Sequence, residues 1–240
     1  MTSTYLEQLI AFGITPKQLP VDELNQKLNS GDLFFMIDIA PDTSPVFNPD
    51  RDPVPDPFYN ATFYYSASTA GRAFRLTHFV ATLYHPNTDD IFLCRTFQVL
   101  GETAIPTVRE AKNLLQGRAV WKRFYPDSPI EYAAWIRLDF SRTNAEGSYP
   151  LVEYRAIHHR ILKEMLGLYP IVELEDVSNL RVILDALHAG ELVALHFREG
   201  RSAIRRKIIA YDPRHPLPTL HSPAQVAPTL DLQILKSVSL

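Results

Sequence analysis

Three segments of the chain repeat the same succession of hydrophobic patterns. In each, apolar residues three or four apart predict a helix, a glycine follows, and apolar residues at alternate positions then predict a strand. The three glycines are Gly31, Gly117 and Gly190. A helix often ends at a residue with left-handed backbone, which glycine adopts without a steric penalty. The pattern therefore predicts three helix–glycine–strand units, with a positive φ at each glycine.

Polar residues mark where two of these helices begin. Thr107 and Glu110 have the spacing of a capping box, in which the hydroxyl and the carboxylate each accept a hydrogen bond from a free backbone N–H. For the third unit, Asp176 or Ser178 is the expected N-cap. Both helices are therefore predicted to begin within a residue or two of these positions.

The strands after the glycines should each bury one face, because every second residue is apolar. The residues expected on the buried faces are Leu33, Phe35, Ile37, Ile39, Val193, Leu195 and Phe197. Cys94 alternates within "IFLCRTF" and is expected to be a core or half-buried strand residue. His196 is expected to be packed or at the rim of its sheet.

Further strand-like runs are joined by short connections such as "HPNTDD", "SRTNAEG" and "REGR". Short connections favour hairpins and antiparallel pairing, since parallel strands need a long crossover. We therefore predict an α+β fold of antiparallel sheets built of β-hairpins, with helices packed on one side. The predicted divisions are an N-terminal unit (1–40), a connector rich in proline and aspartate (41–57), a main domain (58–222) and a tail (223–240).

Composition and charge narrow the function classes. The 240 residues carry a net charge of −3, which gives no whole-molecule attraction to nucleic acid. One cysteine excludes an intrachain disulfide and suits a reducing compartment. The N-terminus lacks the pattern of a secretion signal, and no apolar run has the length of a membrane helix. A cytoplasmic protein that does not associate with membranes is expected.

No pattern in the sequence predicts catalysis. The nine glycines are too widely spaced for a phosphate-binding loop, and no activated serine or cysteine motif is present. His158 and His159 are adjacent on a predicted helix and point about 100° apart, which does not suit one metal ion. We therefore predict no enzyme activity, metal or cofactor, although a catalytic site assembled from distant residues stays an alternative.

The strongest binding candidate is the basic predicted hairpin between residues 198 and 214. Its candidate residues are Arg198, Arg201, Arg205, Lys207 and Tyr211. The cations could contact phosphates and Tyr211 could stack on a base, although cationic edge strands also serve simply to prevent aggregation. Trp121 and Trp135 are candidate anchors for a protein contact, but packing against helices in the core is the stronger expectation.

Three motifs carry a resemblance to a known group of proteins. They are "LLQGRAV" (114–120), "YAAWIRLDF" (132–140) and "YPIVEL" (169–174). Their order and spacing resemble a group of uncharacterised Bacteroidota proteins that are often encoded on conjugative or other mobile genetic elements. The likeness runs from about residue 61 onward, and the proline-rich segment departs from it. The resemblance implies an accessory protein in multiprotein assemblies and supplies no catalytic residues.

These observations lead to two alternative functions. The favoured expectation is a non-catalytic accessory or interaction protein that binds a protein partner, not identified by the sequence, through a sheet face or edge. The alternative is a nucleic-acid-binding module that uses the basic hairpin.

Overall fold

A computed structural model describes residues 2–41, 58–68, 73–85, 90–100, 104–125, 129–145, 147–155, 159–200, 203–215 and 217–222. The chain divides into two compact units, 1–43 with 55–115 and 44–54 with 116–240. The boundaries drawn from the sequence are placed differently and stay a prediction. Most of the predicted connector, from residue 42, and the whole predicted tail, from residue 223, lie outside the described residues.

The first unit is a four-stranded sheet with helices before and after it. Its elements are α1 (Thr2–Ala11), a 3-10 turn (Pro16–Gln18), α2 (Val21–Leu28), β1 (Phe34–Ile39), β2 (Tyr59–Ala67), β3 (Phe74–Tyr84), β4 (Ile91–Gln98) and α3 (Val108–Leu115). The strands lie in the order β1-β2-β3-β4, and each neighbouring pair is antiparallel.

The described residues of the second unit form two three-stranded sheets. Its elements are β5 (Val120–Phe124), β6 (Tyr132–Leu138), β7 (Leu151–Tyr154), α4 (His159–Leu166), a 3-10 turn (Val172–Glu175), α5 (Val177–His188), β8 (Val193–Glu199), β9 (Ala203–Ala210) and β10 (Thr219–His221). The sheet orders are β5-β6-β7 and β10-β9-β8, again antiparallel throughout. The predicted α+β fold of antiparallel hairpins is confirmed.

The predicted helix ends are also confirmed. Gly31, Gly117 and Gly190 have φ values of +82°, +75° and +83°. The capping box forms, because Thr107 N donates to Glu110 Oε2 at 2.7 Å and Glu110 N donates to Thr107 Oγ1 at 3.3 Å. These local signals therefore place the turns between helices and strands.

An aromatic row forms the core of the first unit. Phe63, Phe79 and Phe97 stack across β2, β3 and β4 with ring centroids 5.5 and 5.2 Å apart. Phe12, just after α1, packs edge-on against Phe63 and Phe79. Val108 N donates to Phe12 O at 2.9 Å, which places the start of α3 beside the same face. One face of the sheet is therefore covered by helices.

Trp135 lies at the centre of the second unit's core and is 1% exposed. Its ring centroid lies 5.4 Å from that of Trp121 and 5.6 Å from that of His188 at the end of α5. Trp121 is partly buried against the same core and contacts His188 as well. The expectation that the tryptophans pack against a helix is confirmed.

Two expectations about single side chains were wrong. Leu33 is exposed, because β1 begins one residue later and only Phe35, Ile37 and Ile39 face the core. Cys94 is exposed, because it lies on the face of edge strand β4 opposite buried Phe97. On β1 the buried face was predicted correctly apart from its first residue, whereas on β4 the face that carries Cys94 was not.

Candidate functional site

The basic hairpin is present as β8 and β9, and the candidate cations that the structure describes there, Arg198, Arg205 and Lys207, are paired with carboxylates. Arg205 Nε lies 3.0 Å from Glu199 Oε2, and Lys207 Nζ lies 2.8 Å from Glu199 Oε1. Arg198 Nη2 lies 2.5 Å from Glu175 Oε1. These three cations thus share two carboxylates, which offsets much of the charge that a phosphate-binding strip would need, and Arg206 on β9 adds a further cation to the hairpin.

Tyr211 lies in the core and not on the hairpin surface. It is 7% exposed, and its ring centroid lies 4.5 Å from that of Trp135. Burial, and then the nearby charge of Asp212, raise the pKa of the Tyr211 hydroxyl to about 12. A base could not stack on this ring without displacing the core. Arg201 lies outside the described residues.

His196 is held by hydrogen bonds to Glu173 and has a structural role. Its Nδ1 lies 2.7 Å from Glu173 Oε1, and its backbone N donates to both Glu173 oxygens at 3.1 and 3.0 Å. These bonds tie the 3-10 turn to β8. Among the described residues, no group of three or more His, Cys, Asp or Glu side chains is placed to hold a metal ion.

The second candidate surface is the face of the four-stranded sheet opposite the aromatic core, here called the outer face. Phe34 and Met36 on β1 are 76% and 49% exposed. Beside them, the rings of Tyr64 on β2 and His78 on β3 stack with centroids 4.5 Å apart and an interplanar angle of 10°. Register places Met36 opposite Tyr64 and Tyr64 opposite His78, so the three side chains form one continuous row.

This row is uncharged at neutral pH. Burial lowers the pKa of His78 from its ordinary value near 6.5, so the ring is neutral at pH 7. A bulge in β3 positions that ring, because Thr77 Oγ1 donates to Tyr64 O at 3.0 Å and lies 2.9 Å from His78 Nδ1. The outer face therefore offers aromatic and thioether groups that an apolar partner surface can cover.

The row ends at an open sheet edge. Ala67 N donates to Leu33 O at 2.7 Å, so the odd-numbered residues of β1 bond to β2 and the N–H and C=O groups of Phe34, Met36 and Asp38 point the other way. Gln18 Nε2 donates to Ala40 O at 3.2 Å, which closes this edge at its far end. Among the described residues, no strand pairs with the remaining edge.

A sheet face or edge is expected from the sequence as the binding surface, but these residues are not among the sequence-predicted candidates. The signal was present in "DLFFMIDIA", where apolar residues occupy both alternating sets and not only the buried one. Phe34 and Met36 belong to the set that faces away from the core. The stack of Tyr64 on His78 has no local signal, because it depends on strand register and on the bulge.

Comparison with known proteins finds no matching family model, no matching curated protein and no matching solved structure. The resemblance to Bacteroidota proteins of mobile elements stays a prediction. No helix among the described residues has the length and apolar character needed to cross a membrane. Function is therefore inferred from the surfaces themselves.

Proposed function

We propose that the protein is a non-catalytic accessory protein of the cytoplasm, associated with a mobile genetic element, that binds a protein partner through β1 and the outer face. The exposed pair Phe34 and Met36 beside an open sheet edge carries this proposal. The partner contributes an extended segment that pairs with the even-numbered residues of β1, as in strand-addition complexes.

The composition of the surface supports a protein partner over nucleic acid. Aromatic residues and methionine are enriched at the centres of protein interfaces, where charged groups are depleted. Here Phe34, Met36, Tyr64 and neutral His78 are contiguous, and the nearest charged residue on β1, Asp38, accepts a hydrogen bond from Thr62 at 2.5 Å. On the basic hairpin, Arg198, Arg205 and Lys207 are each paired with a carboxylate.

An exposed edge with apolar side chains needs an explanation, because such edges promote aggregation unless they are blocked. Lysine, proline and inward-pointing charges are the usual blocks. The sequence of β1, "FFMIDI", contains no lysine or proline. A partner strand would satisfy the outward N–H and C=O groups and cover Phe34 and Met36 together. The presence of these residues at an open edge thus supports a surface that is occupied during function.

Site-specific photo-cross-linking in the native host tests this proposal. A photoreactive phenylalanine analogue placed at Met36 should yield a discrete adduct with one protein, because that side chain lies beside the proposed strand. The matched control is the same analogue at Ile10, which is 45% exposed on α1 of the same unit. It should give no adduct with that protein.

A second variant tests the interface energetics. In the chain without the analogue, Phe34→Lys together with Met36→Lys should lower co-purification of the partner identified by cross-linking by more than about tenfold, since burying each side chain contributes roughly 1.5–3 kcal/mol. Ile10→Lys should leave recovery unchanged. Equal adducts from both positions, or full recovery with the double variant, would refute binding through β1.

A further inference from the structure

We propose that the second unit contains an oxyanion-binding cavity beside β6, which takes the phosphate or carboxylate group of a small organic molecule. The cavity has a volume of about 520 Å³, and its lining includes Arg137, Arg142 and Arg214. This volume lies in the range of small-molecule sites, roughly 300–1,000 Å³. The site is separate from the proposed partner-binding surface and is made only of residues from the second unit.

Arg137 provides the cation at the base of this cavity. Its side chain is 18% exposed. Nε donates to Gly117 O at 2.7 Å, and Nη1 reaches Asp212 Oδ2 only at 3.4 Å. Among the described residues, Nη2 has no hydrogen-bond partner. A guanidinium that is fixed at Nε and retains a free Nη2 is preorganised to bind an anion in its plane.

The cavity carries more positive than negative charge. Arg214 takes most of the hydrogen-bonding capacity of Asp212, with Nη2 to Oδ2 at 2.6 Å and Nε to both oxygens at 3.0 Å. Arg142 pairs with Asp139 at 3.0 Å. Three guanidinium groups therefore face two carboxylates. Burial, and then the charge of Arg214, lower the pKa of Arg137, although both arginines stay charged at neutral pH.

Gly117 keeps the space beside Arg137 open. A Cβ built on Gly117 would lie 4.0 Å from Arg137 Nη2 and 3.1 Å from Phe140 Cε2. The Cβ itself would make only an ordinary contact with Nη2, and a longer side chain would be needed to occupy the space beside the guanidinium. The glycine that ends the helix thus has a second role, because its missing side chain gives a ligand access to the cation.

The other residues that line the cavity indicate the chemistry of the part of the ligand beyond its anionic group. Leu138, Phe140 and Val152 are apolar, and Tyr154 provides a ring and a hydroxyl. A molecule with an oxyanion at one end and an apolar body fits this arrangement.

Calorimetric titration of the full chain at low ionic strength tests the assignment. The probes are phenyl phosphate, benzoate and inorganic phosphate, with benzyl alcohol as the uncharged control. Phenyl phosphate or benzoate should bind with a Kd in the millimolar range or tighter, and the probe that binds identifies the head group. Benzyl alcohol should not bind. Added salt should weaken binding, because the attraction is between charges.

Variants separate the cavity from general surface charge. Arg137→Gln and Arg214→Gln should each weaken binding by about tenfold or more, since a hydrogen bond to a charged group contributes roughly 1.5–3 kcal/mol. The side chain of Arg214 is half-exposed, so Arg214→Gln should still fold. The test therefore stays decisive even if Arg137→Gln does not fold. The control is Arg123→Gln, which removes an equally charged exposed side chain from β5.

Arg123→Gln should leave the Kd unchanged. No binding of any anion up to about 10 mM would overturn the proposal, since that corresponds to less than roughly 3 kcal/mol of binding energy. Equal weakening in all three variants would also overturn it, because it would show a diffuse charge effect and not a site.

Discussion

Replacing Gly117 with alanine should destabilise the second unit more than the same change at another glycine with positive φ. Gly117 has φ +75°, and the added Cβ would lie 3.1 Å from Phe140 Cε2. Gly147 is the matched control in the same unit, because its φ is +77° and a Cβ there meets nothing within 4 Å. The two substitutions share the backbone penalty and differ in the steric contact.

The expected magnitude has two parts. An L-residue in the left-handed region costs about 1–2 kcal/mol, offset in part by the lower entropy that alanine gives the unfolded chain. Overpacking adds about 1–3 kcal/mol in a rigid core. The lower end applies here, because Phe140 is only half-buried and its ring can move. We expect about 1 kcal/mol for Gly147→Ala and about 2 kcal/mol for Gly117→Ala.

Urea unfolding followed by tryptophan fluorescence measures this difference. Trp121 and Trp135 both belong to the second unit, so the signal reports on the unit that contains the two glycines. A difference of about 1 kcal/mol corresponds to a shift of roughly 4 °C in Tm for a unit of this size. Equal destabilisation by the two variants would refute the contact with Phe140. A neutral Gly117→Ala would refute the left-handed backbone as well.

Three further predictions concern stability. Thr107→Ala should cost about 1 kcal/mol in unfolding of the first unit through loss of the cap, whereas Thr107→Ser should cost little; equal effects would argue against capping. Trp135→Ala should cost about 3–5 kcal/mol by chemical denaturation, and Trp121→Ala clearly less, because only Trp135 is fully buried; the reverse order would contradict the core assignment. For Asp212, burial acts to raise the carboxyl pKa, but hydrogen bonds from Arg214 outweigh it and the pKa lies below its ordinary value. Its ionised form therefore contributes stability above the unfolded pKa of about 3.9, and this contribution is lost as the pH falls further through the folded pKa. Urea midpoints measured between pH 6 and pH 3 should fall less steeply for Asp212→Asn than for the unmodified protein, and parallel curves would refute the linkage.

Local features were predictable because the residues that determine them are close in the chain. The helix ends at Gly31, Gly117 and Gly190 follow from one residue's freedom at positive φ. The capping box follows from a hydroxyl and a carboxylate three residues apart. Hairpin pairing follows from short connections, which leave no room for a crossover helix.

Features that depend on long-range register were not predictable. Tyr211 alternates like a surface residue at the end of a basic strand, yet it packs on Trp135, which lies 76 positions earlier in the chain. Arg137 and Arg214 lie 77 positions apart in the chain, and only the tertiary fold brings both to the cavity beside β6. The buried face of β1 was predicted correctly at Phe35, Ile37 and Ile39, but the open edge beside Phe34 and Met36 depends on which strands pair in the sheet.

Charge pairing explains why the basic hairpin differed from its sequence pattern. The net charge of residues 198–214 does not reveal the pairing of Arg198, because its partner Glu175 lies outside this segment, on the 3-10 turn. Glu199 was visible in the sequence, but its placement between Arg205 and Lys207 depends on the hairpin register. Nucleic-acid binding by this hairpin stays an untested alternative.

Amide hydrogen exchange in β1, measured by NMR with and without the partner captured from Met36, tests the proposed interface most directly. In the free protein, the amides of Phe35, Ile37 and Ile39 should be protected by β2, and those of Met36 and Asp38 should exchange fast. Addition of the partner should slow amide exchange at Met36 and Asp38 by about tenfold or more. This factor corresponds to a free energy of roughly 1.4 kcal/mol for opening the hydrogen bonds between β1 and the partner strand. Fast exchange at both amides in the saturated complex would contradict strand addition at β1.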